Sequence, residues 1–150
     1  MILLAILSAL TIVSLVCFAA IKSHALPACI SDCYYAAGTP FTLIFFAAAW
    51  LALVPAMHCW ASGVTIFMIF FLSMVGVAAD YKDETYHCEH VAAAVLAALF
   101  SLSFVRHVDP PSILLYGIAA LSGADRKRWL LYCEISCFAS VYSAMLTRLT

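Results

Sequence analysis

The chain has 150 residues, 67% of them hydrophobic and 10% charged, with a formal net charge of -1. Soluble domains carry roughly 25% charged residues, so this composition lacks the polar skin of a water-soluble fold. Its charge also leaves no basic footprint for nucleic acid.

The first apolar run covers residues 1–21 and meets no Lys or Arg before Lys22. A signal peptide opens on a positive region, and about 20 apolar residues suffice to cross a roughly 30 Å hydrocarbon core. The run therefore reads as a retained transmembrane helix. Residues 23–39 form a loop holding Pro27, then Ile30-Ser31-Asp32, then Tyr34 and Tyr35. Tyrosines suit the headgroup belt, and a turn or cap role suits Ser31 and Asp32. The second and third runs, residues 39–57 and 60–79, are separated only by His58 and Cys59, which predicts a tight helical hairpin. The fourth opens near His87 and ends at Arg106. The fifth, residues 110–124, is short and begins on Pro110-Pro111, so a re-entrant or strongly tilted path is the alternative to a crossing. The sixth covers residues 129–146.

Continuous apolarity excludes a β-barrel, whose strands alternate. The expected architecture is all-α: a polytopic integral membrane bundle of six transmembrane helices, one domain over residues 1–150. Small residues recur at Ala48, Ala52 and Ala56, and at Cys133, Cys137 and Ala144 with Ser140 nearby. Such stripes let helix backbones approach closely in lipid.

Up-and-down threading gathers Ser31, Asp32, Asp80, the run from Asp83 to His90 and Glu134 at one face. His58, Arg106, His107 and Asp109 fall at the other. Connections on the first side hold Lys22, Lys82, Arg126, Lys127 and Arg128, against Arg106 and Arg148 on the second. The positive-inside rule then places the polar face in the cytoplasm and both termini outside. The expected location is a bacterial inner membrane, crossed several times.

Ser31, Asp32, Asp80, His87, His90 and Glu134 are the candidate pocket residues. His87 and His90 stand at i, i+3 on one helix face and could share a divalent metal such as zinc. Asp80, Asp83 or Glu134 would add a third ligand, and a fourth position would stay open for water. The plainer reading is a polar helix start, where carboxylates suit the helix dipole. Glu134 lies some five residues into the last run. A carboxylate at a helix centre costs about 2.5–3.5 kcal/mol on insertion scales and normally finds a partner; His87, His90, Lys82 and a lipid headgroup are the choices. Ser31 is a nucleophile only beside a positioned base, and the sequence identifies none. Seven cysteines include the pairs Cys29/Cys33 and Cys133/Cys137 but no C-x-x-C. Packing is expected of the second pair, while the first, in a loop, is open.

The proline followed by Ile30-Ser31-Asp32 after the first helix resembles the damage-regulated autophagy modulator (DRAM) group and its Frag/Sfk relatives. So do a histidine opening the fourth helix (His87 or His90) before Ala92-Ala93-Ala94, and Glu134, Phe138 and Tyr142 in the last helix. The resemblance implies a six-helix bundle concerned with lipid remodelling, lipid asymmetry or membrane regulation, without assigned catalytic roles. Ser31, Asp80, His87 and His90 are also similar to part of the serine, aspartate and histidine set of ceramidase/adiponectin-receptor-type hydrolases, though the late His-x-x-x-His is missing. The expected function is lipid handling or membrane regulation, with membrane lipids as partners and a homo-oligomer or a membrane partner protein as a further association. The alternatives are a metal-dependent membrane-embedded hydrolase, a small channel or transporter, or an accessory subunit.

Overall fold

The computed structural model describes residues 1–78, 82–121 and 128–150. Among these residues the chain is mostly helical, with no strand. In order come α1 (Ile2–Ser23), a 3-10 turn (Ile30–Asp32), α2 (Cys33–Ala37), α3 (Thr39–Cys59), α4 (Gly63–Val77), α5 (Glu84–Val108), a second 3-10 turn (Pro110–Ile113), α6 (Leu114–Leu121) and α7 (Trp129–Leu149).

Four of these helices, α1, α3, α5 and α7, are long and apolar enough to cross a membrane. α4 has 15 residues and α6 has 8. Six runs of apolar sequence thus yield four helices of spanning length among the described residues. Trp60 explains part of the shortening. Its extended backbone (φ -152, ψ 94) ends α3, and Ser62 caps α4 through the Thr65 N–H at 3.4 Å. Trp60 and Ala61 therefore belong to the connection. α5 begins a turn earlier than the sequence suggests because the Asp83 carboxylate accepts the Thr85 N–H at 2.8 Å. That hydrogen bond holds the Asp83 carboxyl below the usual carboxylate range.

α1, α3, α4, α5 and α7 pack in a closed circuit, each against the next and α7 against α1, with α6 outside on α7. On α1 the buried residues are Ala5, Ser8, Ile12, Leu15 and Ala19. Their spacing of three and four residues makes one stripe along the helix. This stripe meets the small-residue face of α3, where Ala48 and Ala56 are wholly buried. The Ser8 hydroxyl donates to the Ala48 carbonyl at 2.6 Å and lies 2.6 Å from the Tyr142 hydroxyl. One polar contact thus ties three helices, and the close approach expected of the alanine series is realised. α4 also approaches α3 closely at Gly76, where a Cβ would stand 2.7 Å from the Phe45 ring.

The outward surface is apolar too. Leu43, Leu99 and Leu114 are 69%, 58% and 79% exposed, a pattern that water penalises and lipid does not.

Candidate functional site

The ends of the bundle are fixed by contacts between remote segments. Ser31 on His90 and the Leu131 N–H on the Ala28 carbonyl (3.0 Å) bring the end of α1 and the starts of α5 and α7 together. Cys59 on the Met145 carbonyl, and Trp60 stacked on His107 at 4.1 Å, define the other end.

Residues 24–38 lie across the first end. α1 stops at His24, which adopts the left-handed conformation (φ 53) and returns its N–H to the Ile21 carbonyl. Cys29 is extended, and the chain then coils through one 3-10 turn into α2. Gly38 at φ 72 ends α2 with its N–H on the Tyr34 carbonyl, a conformation that favours glycine. Ile30 and Cys33 are buried among Leu15, Ala19, Phe41 and Leu131, so the segment is packed apolar matter as well as a polar turn. Burial, reinforced by Cys29, Glu134 and Asp32, pushes the Cys33 thiol up to about 12. Cys29 and Cys33 are both buried thiols with no disulfide between them.

Each residue of Ile30-Ser31-Asp32 is pinned by a different partner. The Ile30 N–H donates to Glu134 Oε2 at 2.5 Å, reaching α7. Ser31 Oγ lies 3.2 Å from His90 Nε2, reaching α5. Asp32 Oδ2 accepts the Ala28 N–H at 3.0 Å, and Oδ1 stands 3.3 Å from Lys82 Nζ. Lys82 also sits over the Tyr35 ring at 4.0 Å and donates its backbone N–H to the Tyr35 hydroxyl.

The tautomer of His90 follows from its surroundings. Nδ1 is 2.9 Å from the Ala78 carbonyl, which can only accept. Nδ1 therefore carries the proton, and in the neutral ring Nε2 is an acceptor. The Ser31 hydroxyl donates to it. His90 and Ser31 are both buried.

Four candidates, Ser31, Asp32, His90 and Glu134, thus meet around one short turn. His87 is exposed on α5, one turn before His90. Asp80 lies outside the described residues, as do Arg126 and Lys127, which weighed in the orientation. Among the described residues no three His, Cys, Asp or Glu side chains come together as a metal-binding group. His90 turns both ring nitrogens on protein atoms, and Asp80, a third ligand suggested beside His87 and His90, is not among the described residues. Sequence reasoning missed the backbone partners, Ile30 N–H and the Ala78 carbonyl, which no side-chain pattern signals.

Below the turn lies a cavity of about 320 Å³ between α3, α4, α5 and α7. Ile30, Ser31 and Glu134 line it at the polar end, and Ala52, Met68 and Tyr142 extend it inward. Small side chains on α5 (Ala94, Ala97 and Ala98) and on α7 (Cys133 and Cys137) leave the space open. The two cysteines thus face the cavity, beyond the packing role expected of them. Val95, Ala98 and Leu130 also line it and are exposed, which opens it sideways between α5 and α7. Among the described residues no Lys or Arg lines it. An apolar volume with a few placed polar groups is the usual form of a ligand pocket, at the small end of the roughly 300–1,000 Å³ range.

No family model, curated protein or solved structure matches this chain.

Proposed function

We propose that this chain is a multi-pass membrane protein that handles lipid by admitting a hydrocarbon tail into the cavity between α3, α4, α5 and α7. The cavity carries the reading. Its walls are almost wholly apolar, Ser31 and Glu134 line it where the bundle reaches residues 24–38, Ser101, Tyr116 and Tyr142 place hydroxyls farther along it, and its exposed lining residues open toward the surface that lipid would cover. The apolar outer face supports the membrane setting, and α4 and α6 supply the fifth and sixth segments of an up-and-down path. The likeness of Ile30-Ser31-Asp32, His90 and Glu134 to the DRAM and Frag/Sfk group agrees with a lipid role.

Native mass spectrometry after extraction in mild detergent tests this. The wild type is expected to retain lipid, and Ala97→Phe, which fills the cavity from α5, to lose it while staying folded. Equal retention by both proteins, or by neither, would defeat the proposal.

A further inference from the structure

The contacts of Ser31 match the arrangement of a serine nucleophile with its base. A weak hydroxyl is activated when a nearby base accepts its proton and a third group holds that base in the right tautomer. Ser31 Oγ is 3.2 Å from His90 Nε2, at the outer edge of the hydrogen-bond reach such pairs keep. The Ala78 carbonyl, 2.9 Å from Nδ1, fixes the proton there and turns Nε2 toward the hydroxyl. Nothing about a structural latch requires Ser31 to line a ligand cavity, yet it does, beside Ile30 and Glu134. The turn is also held in place independently. Glu134 takes the Ile30 N–H, and Lys82 faces Asp32.

We infer that Ser31 and His90 form a nucleophile–base pair that attacks the carbonyl of a long-chain acyl ester whose tail lies in the cavity. The inference rests on the tail-holding reading above and adds chemistry to it. The Oγ–carbon bond forms as the Ser31 proton passes to Nε2. The acyl–oxygen bond then breaks, and His90 returns the proton to the departing alcohol, leaving an acyl-serine. Water attacks next, its proton taken by His90, and the fatty acid departs as Ser31 recovers its hydrogen. Electrons stay paired throughout, and water is the only co-reactant. The substrate class follows from the walls. The tail must be apolar, and with no Lys or Arg lining the cavity among the described residues, an ester uncharged near its carbonyl suits the site better than an anionic one. Glu134 acts here as a positioning residue, since its bond goes to the Ile30 backbone.

The test is labelling of the whole chain, in detergent or nanodiscs, with a fluorophosphonate bearing a long alkyl chain, read by peptide mapping. A covalent adduct on Ser31 is expected. Ser31→Ala should abolish it, and His90→Gln should slow it by about a hundredfold or more, as loss of a general base does. Ala97→Phe should also lose the adduct, although it leaves Ser31 and His90 untouched. If His90→Gln fails to fold, competition supplies the second measurement: a long-chain ester must protect Ser31 in the wild type, whereas a short-chain ester must not. No Ser31 adduct, or equal labelling of heat-denatured protein, would overturn the inference. Retained lipid without an adduct refutes only the chemistry; absence of both refutes the tail-holding reading as well.

Discussion

At the end marked by Trp60 and His107, residues 60–62 join α3 to α4, and Asp109 alone joins α5 to the following turn. At the other end residues 24–38 stand between α1 and α3. The first end is closed by apolar and aromatic contact. Trp60 stacks on His107 and leans on Phe104, above a cluster that includes Ala56, Val105 and Met145. The second end also packs Ile30 and Cys33 among apolar neighbours, but adds hydrogen bonds and an ion pair from one short turn to two helices and a loop. Dispersion contacts accumulate over area and tolerate small shifts, whereas a hydrogen bond in an apolar setting is lost abruptly when one partner leaves. The contrast separates a part that holds the bundle together from a part whose geometry is set atom by atom.

Breaking the first end should be the more damaging. Trp60→Ala removes both ring contacts and is expected to cost about 3 kcal/mol, read as a lowered unfolding temperature in detergent. Access to Cys33 in the folded state should not change. Glu134→Leu is expected to cost about 2 kcal/mol, because the Ile30 N–H loses its acceptor in a partly buried place. Its distinguishing effect is on Cys33. The thiolate is the form that reacts, and burial pushes this thiol up to about 12. Below that pH it stays protonated, so maleimide at pH 8 should label exposed Cys88 and spare Cys33. Glu134→Leu should bring Cys33 labelling up toward that of Cys88, and Glu134→Gln, which keeps an acceptor, should do so far less. If Trp60→Ala uncovers Cys33 as readily, the two ends are not distinct in the way described.

Ser8→Ala sharpens the comparison from the middle of the bundle. It takes one of the Tyr142 hydroxyl's contacts and is expected to cost about 1 kcal/mol, with lipid retention unchanged. Lys82→Ala should have the smallest effect. Its ion pair with Asp32 is 3.3 Å long, but Lys82 is 59% exposed, so less than about 1 kcal/mol is expected, and less still at high salt. An effect of Lys82→Ala as large as that of Glu134→Leu would show that the turn hangs on Asp32 rather than on Ile30.

The bundle was legible in the sequence because hydropathy is a local property. Residues 1–21, 39–57 and 129–146 read as helices and are helices, and Ala48, Ala52 and Ala56 pack as their spacing demands. The end of the bundle that gathers polar groups was legible as well, since threading alone brings Ser31, Asp32, His90 and Glu134 to one side. Their partners were not. Glu134 answers to a backbone N–H 104 residues earlier, which any residue but proline would provide. His87 and His90 share a helix face by periodicity, and only the packing of the neighbouring turn buries one and exposes the other. The base that Ser31 needed was therefore present in the sequence and could not be identified there. The cavity was similarly hidden: Ala94, Ala97 and Ala98 announce close packing as readily as empty space, and the distance between α5 and α7 decides between them.

The central claim is that a lipid tail occupies the interior below Ser31. Photo-crosslinking in bilayers with a long-chain acyl ester carrying a diazirine at mid-chain tests it most directly, because peptide mapping reports where the tail resides. Adducts at Met68, Leu72 and Val141, which line the cavity, are the expected result. Adducts confined to outward-facing Ile66, Leu99 and Leu102 would contradict the account.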